Sequence, residues 1–394
     1  MNYDIVLRNA HVIDPSQGVN GVCDVAIAGG RIAAVGKALQ AAPAALEDNL
    51  SGLYLAPGLV DLYGHWYEGS AFGIDPHICL GHGVTTAVDA GTTGFINFEE
   101  FRRHQIESAR VRVLAFLNIA GAGIPTPISG ELLDVRVARP METAEVLLTH
   151  PNALVGVKVR IGIMSGDNGL AALERALEAA EASKLPVMVH ISKTAPTREV
   201  LKRLRPGDIL THCFQGRGDG LLANGGVISE AVEAHDRGVI FDVGHGCGSF
   251  SWDTAKRAFE DFFYPDTIST DLHRFSIERW CIDMPTTMSK FLHLGMSLED
   301  IILKTTWRPA CSIGRAKEIG KLRPGAAADI LVFSVEEGEF PLADTHRKVV
   351  VAERRIRPHR VMRAGVWQDG CFARPPRKLH ECDYEVFRNL EESA

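Results

Sequence analysis

The 394-residue sequence has no Cys-X-X-Cys pair, no apolar run long enough to cross a bilayer, and no excess of positive charge. Each absence excludes something. Its cysteines (Cys23, Cys79, Cys213, Cys247, Cys281, Cys311, Cys371 and Cys382) are scattered. In a chain of this length that pattern fits the reduced thiols of a cytoplasmic protein, not a disulfide framework. No stretch reaches the roughly 18 apolar residues of a spanning helix, and the opening MNYDIVLRNAHVID is unlike a signal peptide. A formal net charge of −7 argues against a nucleic-acid or anionic-membrane partner. No GxGxxG follows the first buried strand, which weighs against an open nucleotide-binding sheet. What is present, 46% hydrophobic and 23% charged residues, is ordinary for a soluble globular enzyme. The length leaves room for one α/β barrel of roughly 250 residues and a smaller module.

The two ends read as β-structure. YDIVLRNAHVID and CDVAIAGGRIAAVG are strands with a Gly-Gly turn, and 41–52 is a loose connector. RPGAAADILVFSV (323–335) and RVMRAGVWQDG (360–370) are strands again. Between them, apolar runs at 59–65, 83–89, 111–118, 154–160, 186–191, 208–213, 239–243 and 267–271 alternate with amphipathic segments. The clearest of these is LAALERALEAAEAS (170–183), with leucines at helical spacing. Eight such units predict a (β/α)8 TIM-like barrel, with a doubly wound open sheet as the rival. The expected division is 1–56 and 319–377 as two parts of one small β-sandwich, 57–318 as the barrel, and 378–394 as an acidic helix or tail.

Most of the predicted barrel strands end in a side chain able to bind metal or move a proton: His65, Asp89, Lys158, His190, His212, Asp242 with His245, and Asp271. A barrel assembles its site at that rim, where several strand ends converge. Any one of these residues alone is more simply a hydrogen-bonded structural group. A series along the strands predicts a metal site. Imidazoles and carboxylates without clustered thiolates suit Zn2+, then Mn2+, Fe2+ or Co2+, and disfavour Ca2+ or an iron–sulfur cluster. Cys213 alternates with His212 along its strand and therefore packs on the other face.

The ordered set APGLVDLYGHWYEG, GVTTAVDAGTTG, VGVKVRIG, VMVHIS, GDILTHCFQG, FDVGHGCGSF, ISTDLH, TTMSKFLHLGM and LRPGAAADILVF resembles the amidohydrolase superfamily. Within it, the likeness is to the dihydroorotase-like amidohydrolase/deacetylase metallohydrolases, over nearly the whole chain. The resemblance implies a barrel flanked by a β-sandwich and one or two divalent ions. His65 and Asp271 would hold the buried ion, His190 and His212 the more exposed one, and a carboxylated Lys158 would bridge them. An unmodified ammonium has no lone pair, so Lys158 can join only as carbamate or neutral amine. Asp271 would also take the proton of the attacking water and return it to the leaving group.

The family pattern has His-X-His where this chain reads Tyr63-Gly64-His65. Residues i and i+2 share a strand face, so Tyr63 points into the barrel beside His65. Three readings stay open: a phenolate ligand, a space-filling ring that leaves one ion, or a decayed metal site in a non-catalytic binding protein. Arg160, two residues from Lys158, is either a clamp for a substrate carboxylate or a rim salt bridge. His245 is a second candidate for substrate contact, and His273 a weaker one. Trp66, Tyr67 and Glu68 are loop packing or substrate contacts. The expected protein is a cytoplasmic, homo-oligomeric hydrolase, deacetylase-like, acting on an amide or ester of a small acylated carboxylic acid. A cyclic-amide hydrolase of dihydroorotase type is the enzymatic alternative.

Overall fold

Strands buried on both faces read as continuous apolar runs, and the central sheet is built from such runs. The computed structural model describes residues 3–40, 46–124, 131–218, 220–223, 225–277 and 280–369. Strands Leu59–Gly64, Val84–Gly94, Arg112–Asn118, Leu154–Ile161, Val187–Ile191, Ile209–Thr211 and Ile240–Phe241 lie in chain order in one seven-stranded sheet, every pair parallel. Every residue of Leu59–Gly64 and of Leu154–Ile161 is buried.

The eighth expected strand, 267–271, is not a regular strand. Its backbone instead joins the last strand to the first. Asp242 bridges Thr267 and Gly64 bridges Leu272, both in parallel sense. Asp271 N donates to Tyr63 O (2.7 Å) and His65 N to Leu272 O (2.9 Å). The left-handed backbone of Asp271 (φ 47°) is incompatible with a continued ladder. The sheet curls into a TIM-like barrel closed by this irregular segment.

Helix Gly169–Ser183 shows how the outer layer is read from sequence. Ala172, Leu173, Ala176, Ala179 and Ala180 are buried, a stripe at helical spacing that packs on the sheet. Lys184, left-handed at φ 58°, ends the helix.

Both ends of the chain join one eight-stranded sheet: Ile5–Asp14, Val19–Ala28, Arg31–Gly36, Leu46–Asn49, Tyr54–Pro57, Ile330–Ala343, Val349–Arg363 and Val366–Trp367. Tyr54–Pro57 is the seam, paired with Ile5–Asp14 on one side and Ile330–Ala343 on the other. Leu7, Val12, Ile27, Leu55, Ile330 and Val332 form its core. The strands from both ends are hydrogen-bonded into one sheet. Part of the expected connector 41–52 is a strand, since Leu46–Asn49 pairs in parallel with Ile5–Arg8. The tail 378–394, Cys371 and Cys382 lie outside the described residues. The six described cysteines are all free thiols. Among the described residues no helix is long and apolar enough to cross a membrane.

Candidate active site

The strand ends bring His65, Lys158, His190, His212 and Asp271 together around Tyr63. His190 Nδ1 lies 2.7 Å from His212 Nε2 and 3.3 Å from the Tyr63 hydroxyl. The Lys158 amine sits 3.7 Å from the centroid of the Tyr63 ring. His65 Nε2 is 3.4 Å from Asp271 Oδ1. Tyr63 touches both histidine groups, with ring centroids 5.6 Å from His65 and 5.2 Å from His212.

Hydrogen bonds on the far side of two rings fix which nitrogen is bare. His212 Nδ1 faces the Gly244 carbonyl at 2.7 Å. A carbonyl only accepts, so Nδ1 carries the proton and Nε2 presents its lone pair to the site. His65 Nδ1 is 2.7 Å from Thr92 Oγ1, whose single proton goes to Asp89 Oδ2 at 2.7 Å. The hydroxyl must therefore accept from His65, which leaves Nε2 bare toward Asp271. Asp89 is itself held by the amides of Trp66 (2.8 Å) and Thr92 (2.7 Å). Burial first, then neighbouring positive charges, push all three imidazoles well below their usual range, into the neutral form that can ligate.

Two polar atoms here have no hydrogen-bond partner among the described residues although both are buried: Lys158 Nζ and Asp271 Oδ1. Burial pushes the Lys158 amine well down and the Asp271 carboxyl well up. Orphaned groups in a dry site are costly and call for a missing partner. No three His, Cys, Asp or Glu side chains among the described residues stand close enough to enclose an ion by themselves. The donors fall into two pairs, His190 with His212 and His65 with Asp271, and neither pair alone makes a ligand set. Neutral imidazoles, a carboxylate and an orphaned buried amine fit a divalent ion by donor type.

The backbone is built for close approach. His212 and Asp271 are left-handed (φ 64° and 47°), a strain that clusters at functional sites. A Cβ on Gly91 would lie 2.5 Å from Lys158 Cβ, and one on Gly246 would lie 2.4 Å from Asp271 Oδ2. Only glycine leaves room for these side chains.

A pocket opens over this centre, lined by His65, Phe72, Arg160, His190, Asp271 and His273, with Lys193 and Arg217 among its further residues. Arg160 makes the expected salt bridge, and it does so in the pocket wall. Its Nε is 3.2 Å from Glu131 Oε2. His245 does not line the pocket, contrary to expectation. Its Nε2 lies 2.6 Å from Lys290 Nζ, its Nδ1 2.9 Å from the Gly246 carbonyl, and its ring stacks on Phe250 at 4.8 Å. The left-handed turns at Gly244 and Gly246 lead the chain around it (φ 48° and 52°). Asp242 faces the hydroxyls of Thr211, Thr267 and Ser269 and ties strands together. Trp66, Tyr67 and Cys213 are in the main hydrophobic core. Thr92, Glu131, Cys247 and Lys290 escape the sequence reading. Thr92, Cys247 and Lys290 lie inside the motifs DAGTTG, FDVGHGCGSF and TTMSKFLHLGM without a role of their own, and Glu131 lies in none of them.

A sequence profile of the amidohydrolase family matches residues 54–367. This chain belongs to the amidohydrolase family. It is similar to a deacetylase of Agrobacterium fabrum, 34% identical over 90% of this chain and 89% of that one. A deacetylase of Enterococcus faecalis is 33% identical over 93% of this chain and 99% of its own. The crystal structure of an adenine deaminase superposes with a TM-score of 0.87 at 31% identity, covering 93% of this chain and all (100%) of that one. That of a dihydroorotase gives 0.84 at 33% identity, covering 92% and 98%. This amidohydrolase is a deacetylase-like hydrolase of C–N bonds.

Proposed function

We propose that this amidohydrolase uses metal-activated water to remove the acyl group from a small acylated carboxylic acid, an N-acyl amino acid or O-acyl hydroxy acid. The observation that carries the reading is the orphaned Lys158 amine, buried within one cluster with His65, His190, His212 and Asp271. Similarity to the two deacetylases supports the acyl chemistry.

His190 and His212, with His65, Asp271 and Lys158, would hold one or two ions, Zn2+ before Mn2+, Fe2+ or Co2+. A bound ion would supply Lewis acidity toward the acyl carbonyl and would lower the pKa of water toward about 7. Lys158 enters as a carbamate. Burial favours its neutral amine, the form that adds CO2, and carboxylation turns a repelling cation into an anionic ligand. Asp271 accepts the proton of the attacking water and delivers it to the leaving nitrogen or oxygen as the acyl bond breaks. Water and the acyl compound become a free acid and an amine or alcohol. Arg160, with Lys193 and Arg217 further along the wall, gives the substrate carboxylate a cationic side to bind. Phe72, Ile163 and Met164 cover an apolar side chain.

The cyclic-amide alternative draws on the likeness to a solved dihydroorotase and needs the same residues. Steady-state hydrolysis by Zn2+-loaded protein separates the two, using N-acetyl amino acids, O-acetyl hydroxy acids and dihydroorotate. We expect the acyclic substrates to give the higher kcat/KM, lost on chelation. Preference for the ring would replace this reading with the cyclic-amide one. No metal-dependent turnover of any of them would leave a binding protein.

A further inference from the structure

Away from the catalytic pocket, at the N-terminal ends of the barrel strands, two adjoining cavities share Arg112, Glu318 and Arg363 in their walls. Their volumes are about 340 and 320 Å3, within the roughly 300–1,000 Å3 of small-ligand sites. Arg315 stands in the wall of one and Arg31 in that of the other. Arg112 begins the strand Arg112–Asn118, so the cleft lies at the opposite end of that strand from the catalytic rim.

Each cavity thus has three arginines in its wall, Arg112 and Arg363 in both, Arg315 in one and Arg31 in the other, in a protein whose formal net charge is −7. Asp329 is the carboxylate that answers them. It takes Arg112 Nη1 at 2.7 Å on one oxygen, and Arg363 Nη1 at 3.3 Å with the Ala364 amide at 2.8 Å on the other. Arg31 and Arg315 donate to the backbone carbonyls of Gly325 and Pro151. Among the described residues neither pairs with a carboxylate, and Glu318 pairs with none of the four. The Nε atoms of Arg315 and Arg363 are buried without a hydrogen-bond partner among the described residues. Burial lowers the Arg363 guanidinium from its usual range, the sign of a cation whose lost hydration is incompletely replaced. A salt-bridge network that merely joined barrel to sheet would need charges in balance. This one holds four cations against Asp329 and an unpaired Glu318. The planar fork of arginine matches phosphate and carboxylate oxygens, and converging forks favour an anion that carries more than one charge.

We propose that this cleft binds a multiply charged oxyanion of the phosphate type, at a site separate from the catalytic pocket. The probe is inorganic phosphate, titrated calorimetrically against chloride at matched ionic strength. The proteins are wild type, R31A/R315A and R160A, each checked for native circular dichroism. Arg31 and Arg315 are chosen because removing them strands no carboxylate. The expected result is one saturable site in wild type, retained in R160A and at least tenfold weaker in R31A/R315A. An isotherm unchanged in R31A/R315A, one lost in R160A, or no saturable binding in wild type would overturn the proposal. If R31A/R315A fails to fold, the single variant R315A carries the same comparison.

Discussion

The hydroxyl of Tyr63 lies 3.3 Å from Nδ1 of His190, the nitrogen that His212 Nε2 also approaches, at 2.7 Å. A tyrosine from the first barrel strand therefore stands against the candidate ligands of the fifth and sixth. Burial, then the Asp271 carboxylate, push its phenol well above the usual range, so it enters the cluster as a neutral ring. Tyr63→Phe should leave the bound metal, read by elemental analysis, unchanged. Tyr63→His should raise it, by completing a His-X-His with His65. Metal lost from Tyr63→Phe would instead make the phenol a ligand.

Thr92 reaches the site only through His65, as a positioning residue. Its hydroxyl accepts a hydrogen bond from His65 Nδ1–H and donates one to Asp89 Oδ2. Thr92→Val keeps the shape and removes the acceptor, leaving the imidazole without a fixed tautomer. Removing such an orienting partner lowers metal affinity about 10–100-fold. Competition with a chelator measures it, and Thr92→Ser should restore tight binding.

Asp89 ties that chain to pH. Burial pushes its carboxyl up to about 6 despite the donors around it. The folded protein therefore favours the protonated acid more than the unfolded chain does. This contribution is complete below the unfolded value of about 4 and is lost as pH rises through about 6. Urea unfolding of wild type and Asp89→Asn across that range should show the wild-type advantage falling with pH, by about 3 kcal/mol in all. A flat difference would mean the carboxyl is ionised throughout.

Lys290 is buried, with its amine on His245 Nε2 (2.6 Å) and the carbonyls of Trp280 (2.8 Å) and Ala343 (2.7 Å). All three donor positions are used, and they tie helix Met284–His293 to the loop after the seventh barrel strand and to the terminal sheet. Lys290→Met leaves three acceptors unanswered and should cost about 3 kcal/mol of unfolding free energy. A loss within experimental error would show that water replaces the amine.

The barrel was legible because parallel strands covered on both faces must be apolar throughout, and its seven regular strands coincide with such runs. The eighth run was legible too, but its irregular backbone was not, because the left-handed φ of Asp271 leaves no mark in residue type. His65, Lys158, His190, His212 and Asp271 stood among the strand-end side chains, and only the family resemblance set them apart from Asp89, Asp242 and His245. Their pairing was not legible, since it depends on how far the sheet curls. Asp89 was visible as a strand-end carboxylate, yet its link to His65 runs through a turn that only coordinates reveal. His245 looked the same as His212 in sequence, and the glycine turns on either side turned it toward Lys290. The strands of the terminal sheet were visible as apolar runs bounded by glycine and charge, but their pairing order was not.

In the proposed mechanism, Lys158 completes a metal centre that hydrolyses acyl bonds. Metal content and acyl hydrolysis, measured together on wild type and Lys158→Ala grown with Zn2+, test it most directly. Wild type should hold at least one tightly bound ion and turn over in a metal-dependent way, while Lys158→Ala should hold none and be inactive. Equal metal content and equal rates in the two proteins would contradict it.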